Sequence, residues 1–327
     1  MRLVFLANAS HEIGVGHVMR SSAIAEEAIS QGLECVFLGN LGNIEWLENR
    51  IAGLGFSSIS HADKFVPRAE SDLLILDTYL LAPTDPLIAS DRWLGIISIL
   101  DSVTPNYNAE LNIHLGFSGA WYSGDQSKFH FGPQYIPIRK SLQFQGKGVH
   151  ETLENILVFG GGSDPFDFAT AMAKNLSNLN TFSKAFFISD KSTEILEMDS
   201  RYSVGKFSAS IEEHLTRADL VFTTASTSCF EMIAQGIPVG LGCAVENQVE
   251  NYSFLGINGF ASRIGLRVPG YGWDIHKDEL EKIVNGFSYR RELVNRGDQY
   301  MDFCGSSRIL ALIRDKFQIA HEDLGQP

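Results

Sequence analysis

Cysteine is scarce. Four residues in 327 (Cys35, Cys229, Cys243 and Cys304) lie far apart and never in CxxC spacing. That excludes a disulfide scaffold and a cysteine-built zinc site, and buried free thiols in a reducing compartment are expected instead. Long apolar runs are missing too: no stretch approaches the roughly 20 uncharged apolar residues of a membrane span. The segment from Met1 to Asn8 carries one basic residue and a short apolar run that flows into a glycine-bearing loop. It reads as a first strand and not as a signal peptide, so a cytoplasmic protein is expected. Positive charge is also in short supply, with 26 Lys and Arg against 39 Asp and Glu and a net charge of -13. A general nucleic-acid binder normally carries a basic face, and this chain does not suit that class. There is no HExxH or HxH pair, no GxSxG elbow and no GxxxxGK[ST] phosphate loop. The isolated histidines (His61, His114, His130, His150, His214, His276 and His321) read as structural, and neither a metal nor a cofactor is expected.

What is present is an alternation of apolar runs with amphipathic stretches. Strands are predicted at Arg2–Asn8, Glu34–Leu38, Asp72–Leu76 and Trp93–Leu100, with helices at His17–Gln31 and Ile44–Leu54. The segment from Trp121 to His150, with Pro133, Pro137 and several glycines, reads as a connector. A second series follows: strands Asn155–Phe159, Lys184–Ile188, Asp219–Thr223 and Pro238–Leu241, and helices Pro165–Leu176, Ile211–Arg217, Ser228–Gln235, Asp278–Gly286 and Ser306–Phe317. The expected architecture is α/β, with two doubly wound Rossmann-type domains facing across a cleft. Their expected extents are 1–145 and 146–305, and a last helix in 306–327 crosses back onto the first domain.

Chemistry-bearing residues fall at the predicted strand ends. Gly14-Val15-Gly16-His17 follows the first strand and opens a helix. The glycines let a ligand approach the backbone, and the helix dipole disfavours imidazolium, leaving a neutral imidazole suited to act as a base. The alternative is a simple turn with His17 as a cap. Asp77-Thr78-Tyr79 ends another strand and offers a carboxylate and a phenol to orient a sugar or a water, although an Asp there often caps a turn. Asp101 invites the same two readings. Gly160-Gly161-Gly162-Ser163-Asp164 can turn its amides to an anion, and Asp164 before Pro165 can equally be a helix N-cap. Ser226-Thr227-Ser228 between strand and helix offers hydroxyls and amides to a diphosphate, a sensible recourse where cations are few. Glu231, one turn on, suits the hydroxyls of a ribose or a capping box. Asn247-Gln248 follows a later strand, where amides suit sugar hydroxyls or N-acetyl groups.

Taken in order, Ile13-Gly14-x-Gly16-His17-x-x-Arg20, Asp77-x-Tyr79, Phe131-Gly132-Pro133-Gln134-Tyr135-x-x-Ile138-Arg139, Gly161-Gly162-Ser163-Asp164, Ala225-Ser226-Thr227-x-x-x-x-Glu231 and Asn247-Gln248 resemble the UDP-sugar hydrolases of pseudaminic acid biosynthesis and their spore-coat polysaccharide relatives. The likeness runs from the first strand to about residue 260. It implies a fold like that of GT-B glycosyltransferases and a UDP-sugar as the partner small molecule. The implied reaction is metal-independent, inverting hydrolysis of UDP-2,4-diacetamido-2,4,6-trideoxy-β-L-altropyranose. Carried over position by position, His17 is the base for water, and Tyr79 and Asn247 shape the sugar pocket. Gly161, Ser163, Ser226, Thr227 and Glu231 hold diphosphate and ribose, Phe207 lies by the uracil, and Gly14, Gly16, Arg20, Asp77, Gly162, Ser228 and Gln248 complete the binding set. The chain departs from the pattern at Leu100-Asp101-Ser102, with one acid where the family often carries neighbouring ones, and at Ser163, where Thr is more familiar. A glycosyltransferase with the same donor is the alternative; a non-catalytic nucleotide-sugar sensor is a third reading. The first domain lacks a basic cluster for a membrane-bound acceptor, which favours hydrolysis.

Overall fold

The structure is a computed structural model that describes residues 1–10, 13–55, 57–59, 64–78, 80–100, 107–117, 125–144, 148–161, 164–206 and 211–318. It divides into two compact units, Met1–Lys140 with Phe303–Pro327, and Ser141–Asp302.

Unit 1 opens with β1 (Arg2–Ala7), α1 (Gly16–Ser30), β2 (Glu34–Leu38), α2 (Glu45–Gly53) and β3 (Ser57–Ile59). It continues through β4 (Asp72–Asp77), β5 (Gly95–Leu100), β6 (Leu111–His114) and β7 (Phe129–Phe131). Unit 2 holds β8 (Leu153–Phe159), α3 (Phe168–Leu176), β9 (Phe182–Ile188), α4 (Ser192–Leu196), β10 (Tyr202–Gly205), α5 (Ile211–Leu215), β11 (Leu220–Thr224) and α6 (Thr227–Ala234). After these come β12 (Val239–Cys243), α7 (Val249–Ile257), β13 (Ser262–Val268), β14 (Gly272–Ile275), α8 (Lys277–Asn285) and α9 (Phe287–Asp298). The last helix, α10 (Gly305–Phe317), belongs to unit 1.

Each unit is built on a seven-stranded sheet, ordered β3-β2-β1-β4-β5-β6-β7 in unit 1 and β10-β9-β8-β11-β12-β13-β14 in unit 2. All described pairings are parallel except β13 with β14. Strands covered by helices on both faces must be apolar throughout, and β1, β4 and β5 are buried along their whole lengths. Val4, Leu6, Leu74, Leu76, Trp93 and Ile96 form one core; Val158, Phe168, Met172, Phe187, Phe222 and Ile264 belong to the other.

The expected α/β architecture is therefore present, with several local differences. The predicted connector contains β7, which extends the first sheet beside β6, and Ile136, Ile138 and Leu142 are buried after it. Helix α3 starts at Phe168, three residues later than expected, because Asp164 and Asp167 both take left-handed backbone angles that no helix accommodates. The strands β3, β6, β10, β13 and β14 and the helices α4, α7 and α9 went unread, the apolar stretch from Ile113 to Leu115 being too short to read as a strand by itself. Cys304 is exposed, whereas Cys35, Cys229 and Cys243 are buried as expected.

Helix α10 packs on α1, which also lies against β1, β2 and β4. Ile309, Leu310 and Ile313 are within 1% of full burial, and the Ser306 hydroxyl donates to the Ala23 carbonyl at 3.1 Å. Among the described residues no helix is long and apolar enough to cross a membrane.

Candidate functional site

In both sheets the order reverses between two adjacent central strands, β1 and β4 in unit 1 and β8 and β11 in unit 2. Loops leaving the carboxyl ends of such a pair diverge and open a crevice, the place where open α/β sheets receive ligands.

In unit 1 that crevice is lined by the end of β1, the first turn of α1 and the end of β4. Gly14 has φ +77° and its amide donates to the Ser10 carbonyl at 2.9 Å. Gly16 is the first residue of α1, which places His17 in its first turn, 8% exposed. His17 Nδ1 lies 2.6 Å from Asp77 Oδ1. Arg20, one turn further along α1, donates from Nε to Asp77 Oδ2 at 2.7 Å and from Nη2 to Oδ1 at 2.5 Å, and the Ser21 hydroxyl adds a fourth donor at 3.3 Å. Arg20 Nη2 also approaches His17 Nδ1 to 2.9 Å. The two contacts at Nδ1 favour opposite tautomers. The shorter one decides, because a lone pair 2.6 Å from a carboxylate oxygen is repulsive, whereas an N–H there is a charge-assisted hydrogen bond. Nδ1 therefore carries the hydrogen, and in the neutral ring Nε2 keeps its lone pair.

Asp77 is fully buried, which pushes its carboxyl upward. The charges and hydrogen bonds of Arg20 and His17 outweigh that cost and hold it below the usual carboxylate range. Among the described residues the Asp77 oxygens are spent on His17, Arg20 and Ser21 and cap no turn. Asn8 ties the neighbouring loops together: its amide nitrogen reaches the Thr78 hydroxyl at 3.5 Å and its oxygen accepts from the Asn40 amide at 2.9 Å. Tyr79 and Asp101 lie outside the described residues.

In unit 2, β8 runs into Gly160 and Gly161. A side chain at Gly160 would collide with the Asp164 carboxylate, 1.8 Å from the added carbon, and Gly161 sits at φ +103°. Asp164 accepts from the amides of Phe168 and Ala169, both at 2.9 Å, so it fastens this loop to the start of α3. Burial raises its carboxyl to about 6, against the pull of those two amides. Gly162, Ser163 and Phe207 lie outside the described residues.

The adjacent strand β11 ends at Thr224, and Ser226 is the N-cap of α6. The Ser226 hydroxyl is buried and has no hydrogen-bond partner among the described residues, at a helix end where the Cys229 amide donates to the Ser226 carbonyl at 3.1 Å and the amides of Thr227 and Ser228 precede it. Thr227 and Ser228 are half-buried beside it, and Glu231 is buried one turn on. Asn247 is exposed, while the Gln248 side-chain oxygen accepts from the Ala244 amide at 2.9 Å. Asn251, which the sequence did not single out, donates to the Ala225 carbonyl at 3.2 Å and so fixes the turn before α6. Among the described residues no group of three or more His, Cys, Asp and Glu is placed to hold a metal ion.

No family model matches the chain. It is 24% identical to the UDP-2,4-diacetamido-2,4,6-trideoxy-beta-L-altropyranose hydrolase of Campylobacter jejuni, over 57% of this chain and 69% of that protein. It is 22% identical to the spore coat polysaccharide biosynthesis protein SpsG of Bacillus subtilis, over 97% of this chain and 99% of that one. It also spans 57% of the length of the uncharacterized protein MJ1062 of Methanocaldococcus jannaschii, at 23% identity over 77% of this chain. Among solved structures, MurG of Acinetobacter baumannii superposes with a TM-score of 0.67, at 15% identity over 96% of this chain and all of that one. HepE of Anabaena, solved with UDP-glucose, gives 0.61 at 14% identity, over 96% and 99% of the two chains. The fold is thus that of the GT-B glycosyltransferases, two Rossmann-type units.

Proposed function

We propose that the chain is a nucleotide-sugar enzyme of polysaccharide biosynthesis, and specifically a hydrolase releasing UDP and a free diacetamido-trideoxy sugar. The observation that carries this reading is the buried His17–Asp77–Arg20 cluster at the strand-order reversal of unit 1. A histidine whose Nδ1 hydrogen is pinned by an ionised carboxylate presents Nε2 as a base, and the imidazolium formed on proton uptake is stabilised by the same carboxylate. In this reading Nε2 takes a proton from water as its oxygen bonds to the anomeric carbon from the face opposite the leaving group. The bond from that carbon to the diphosphate oxygen breaks with its electron pair, and UDP departs with inversion at the sugar. Arg20 keeps Asp77 ionised.

Charge developing on the diphosphate needs donors already aimed at it. Ser226, Thr227 and Ser228, with the first amides of α6 and the Gly160–Gly161 turn, supply them in a chain poor in free cations. Glu231 takes the ribose hydroxyls, and Tyr79, Ser163, Phe207 and Asn247 keep the roles that the family resemblance gives them. The relatives' names support the substrate class, since one acts on a UDP-linked diacetamido sugar and another belongs to polysaccharide biosynthesis.

The transferase reading draws support from the solved structures of like fold, several of which are glycosyltransferases. One experiment separates the two. Purified protein is mixed with UDP-, CMP-, GDP- and dTDP-sugars, with no acceptor, and product is followed by NMR that resolves the anomers. Release of UDP with an inverted free sugar is the expected outcome. Tight binding of a UDP-sugar without release would make the transferase the better reading.

A further inference from the structure

Unit 2 contains a second pocket that shares no residue with the loops described above. It has a volume of about 350 Å³ and is lined by residues of α7, β13, α8 and α9, with His276 at the start of α8. Its walls are two tyrosines, Tyr252 and Tyr289, and each has a cation over its ring: the Arg263 guanidinium at 5.9 Å and the Lys282 ammonium at 4.1 Å from the centroids.

The charges in the pocket are not balanced. Glu279 is the one carboxylate in its lining, and it is already engaged by the Ser262 hydroxyl at 3.2 Å, the Tyr289 hydroxyl at 3.3 Å and Lys282 at 3.4 Å. Arg263 has neither a carboxylate nor a hydrogen-bond acceptor for its guanidinium among the described residues. Its stem is nonetheless held in place. A side chain at Gly256 would meet Arg263 Cγ and Cδ at 2.3 Å, so the glycine provides the groove in which the arginine lies. His276 Nδ1 faces the Arg263 carbonyl at 3.1 Å, and since a carbonyl only accepts, Nδ1 is the donor and Nε2 is left for another partner. Arg263 is exposed at the mouth of the pocket, and a guanidinium with a seated stem and no carboxylate among the described residues, beside two tyrosine rings, offers a fork to an anion arriving from solvent.

We propose that this pocket is a second small-molecule site, which takes a small organic phosphate of sugar-phosphate size. The phosphate pairs with Arg263, the body of the ligand lies against Tyr252 and Tyr289, and its hydroxyls meet Glu279 and His276. This does not depend on the hydrolase reading, because neither His17 nor the α6 turn takes part.

Glucose 6-phosphate and glucose serve as probes, with binding followed by calorimetry and by the ring resonances of Tyr252 and Tyr289. Glucose 6-phosphate is expected to bind and to shift both rings, and glucose is not. Arg263→Gln is expected to weaken binding at least tenfold, while Ser226→Ala leaves it unchanged. Gly256→Ala, which displaces the arginine stem without removing charge, is expected to weaken it as well. Unligated melting temperatures confirm that each variant is folded. Equal binding by Arg263→Gln overturns the proposal. So does loss of binding in Ser226→Ala, which would place the phosphate at α6, or an equal response to plain glucose.

Discussion

Four donors converge on the two oxygens of Asp77, and that concentration makes the carboxylate a positioning group for His17 more than a contact for a ligand. Asp77→Asn keeps the shape but removes the charge and allows the wrong imidazole tautomer. Turnover is expected to fall by roughly 10²- to 10⁴-fold with KM little changed. His17→Ala is expected to abolish turnover while UDP affinity measured by calorimetry stays within about threefold, as for a lost general base. The acid side of the stability profile carries an independent signature. Because Asp77 ionises more readily in the folded chain, its contribution is present above about pH 4 and is lost as pH falls through its depressed value; Asp77→Asn should flatten that limb in thermal melts. Asp164 has the opposite sign. Its carboxyl is raised to about 6, so the folded chain holds the proton more tightly, and stability should decline as pH rises from about 4 to about 6. The decline is on the order of 3 kcal/mol, and its absence in Asp164→Asn is the check. Sequence reasoning reached His17 because Gly-x-Gly-His after an apolar run marks a strand-to-helix turn. It did not pair His17 with Asp77, because the two are 60 positions apart and only the parallel register of β1 with β4 brings them together.

Helix α6 illustrates what an element contributes beyond its side chains. Its N-terminus carries a serine hydroxyl with no hydrogen-bond partner among the described residues, beside the amides of Thr227 and Ser228, and Asn251 from α7 holds the turn before it. Ser226→Ala combined with Glu231→Ala is expected to weaken UDP binding by roughly 10- to 100-fold, the cost of one or two hydrogen bonds to charged or buried groups; unchanged affinity by calorimetry would place the nucleotide elsewhere. The elements that were legible from sequence are those with strong apolar runs and glycine boundaries, β1, β4, β8, β11 and α6 among them. Those that were missed are explained by what they lack. β10 and β14 are four-residue edge strands with exposed positions, and α7 begins directly after the turn at Glu246–Gln248 with no side-chain cap to announce it. Asn251 could not be foreseen, since an asparagine inside a helix carries no sign of what it reaches across to bind.

At the scale of the whole molecule, unit 1 is assembled from two separated stretches of chain, and α10 closes it. Ser306, Ser307 and Arg314 of α10 donate to the Ala23 carbonyl, Glu27 and Gln31 along α1, so the two helices depend on one another. Leu310→Ala is expected to cost about 2 to 4 kcal/mol. Hydrogen exchange should then show protection falling in α1 and β1 while β8 and β11 keep theirs. Equal loss in both units would mean that the two cooperate as a single folding body. The doubly wound plan of both units was legible because alternating strands and helices admit few topologies, whereas the strand count was not, since β3, β7, β10 and β14 are short edge strands, β6 is only four residues long and β13 is half-exposed.

The return of α10 to unit 1 also sets an order of events during synthesis. The segment Ser141–Asp302 is continuous, free to fold as soon as its last helix, α9, emerges. Residues 1–140 emerge earlier, yet the side of α1 that carries Ala23, Glu27 and Gln31 stays uncovered until α10 has been made. The half of the protein that is translated first is therefore the half that finishes folding last, and through that interval α1 is the surface on which a nascent-chain chaperone would act.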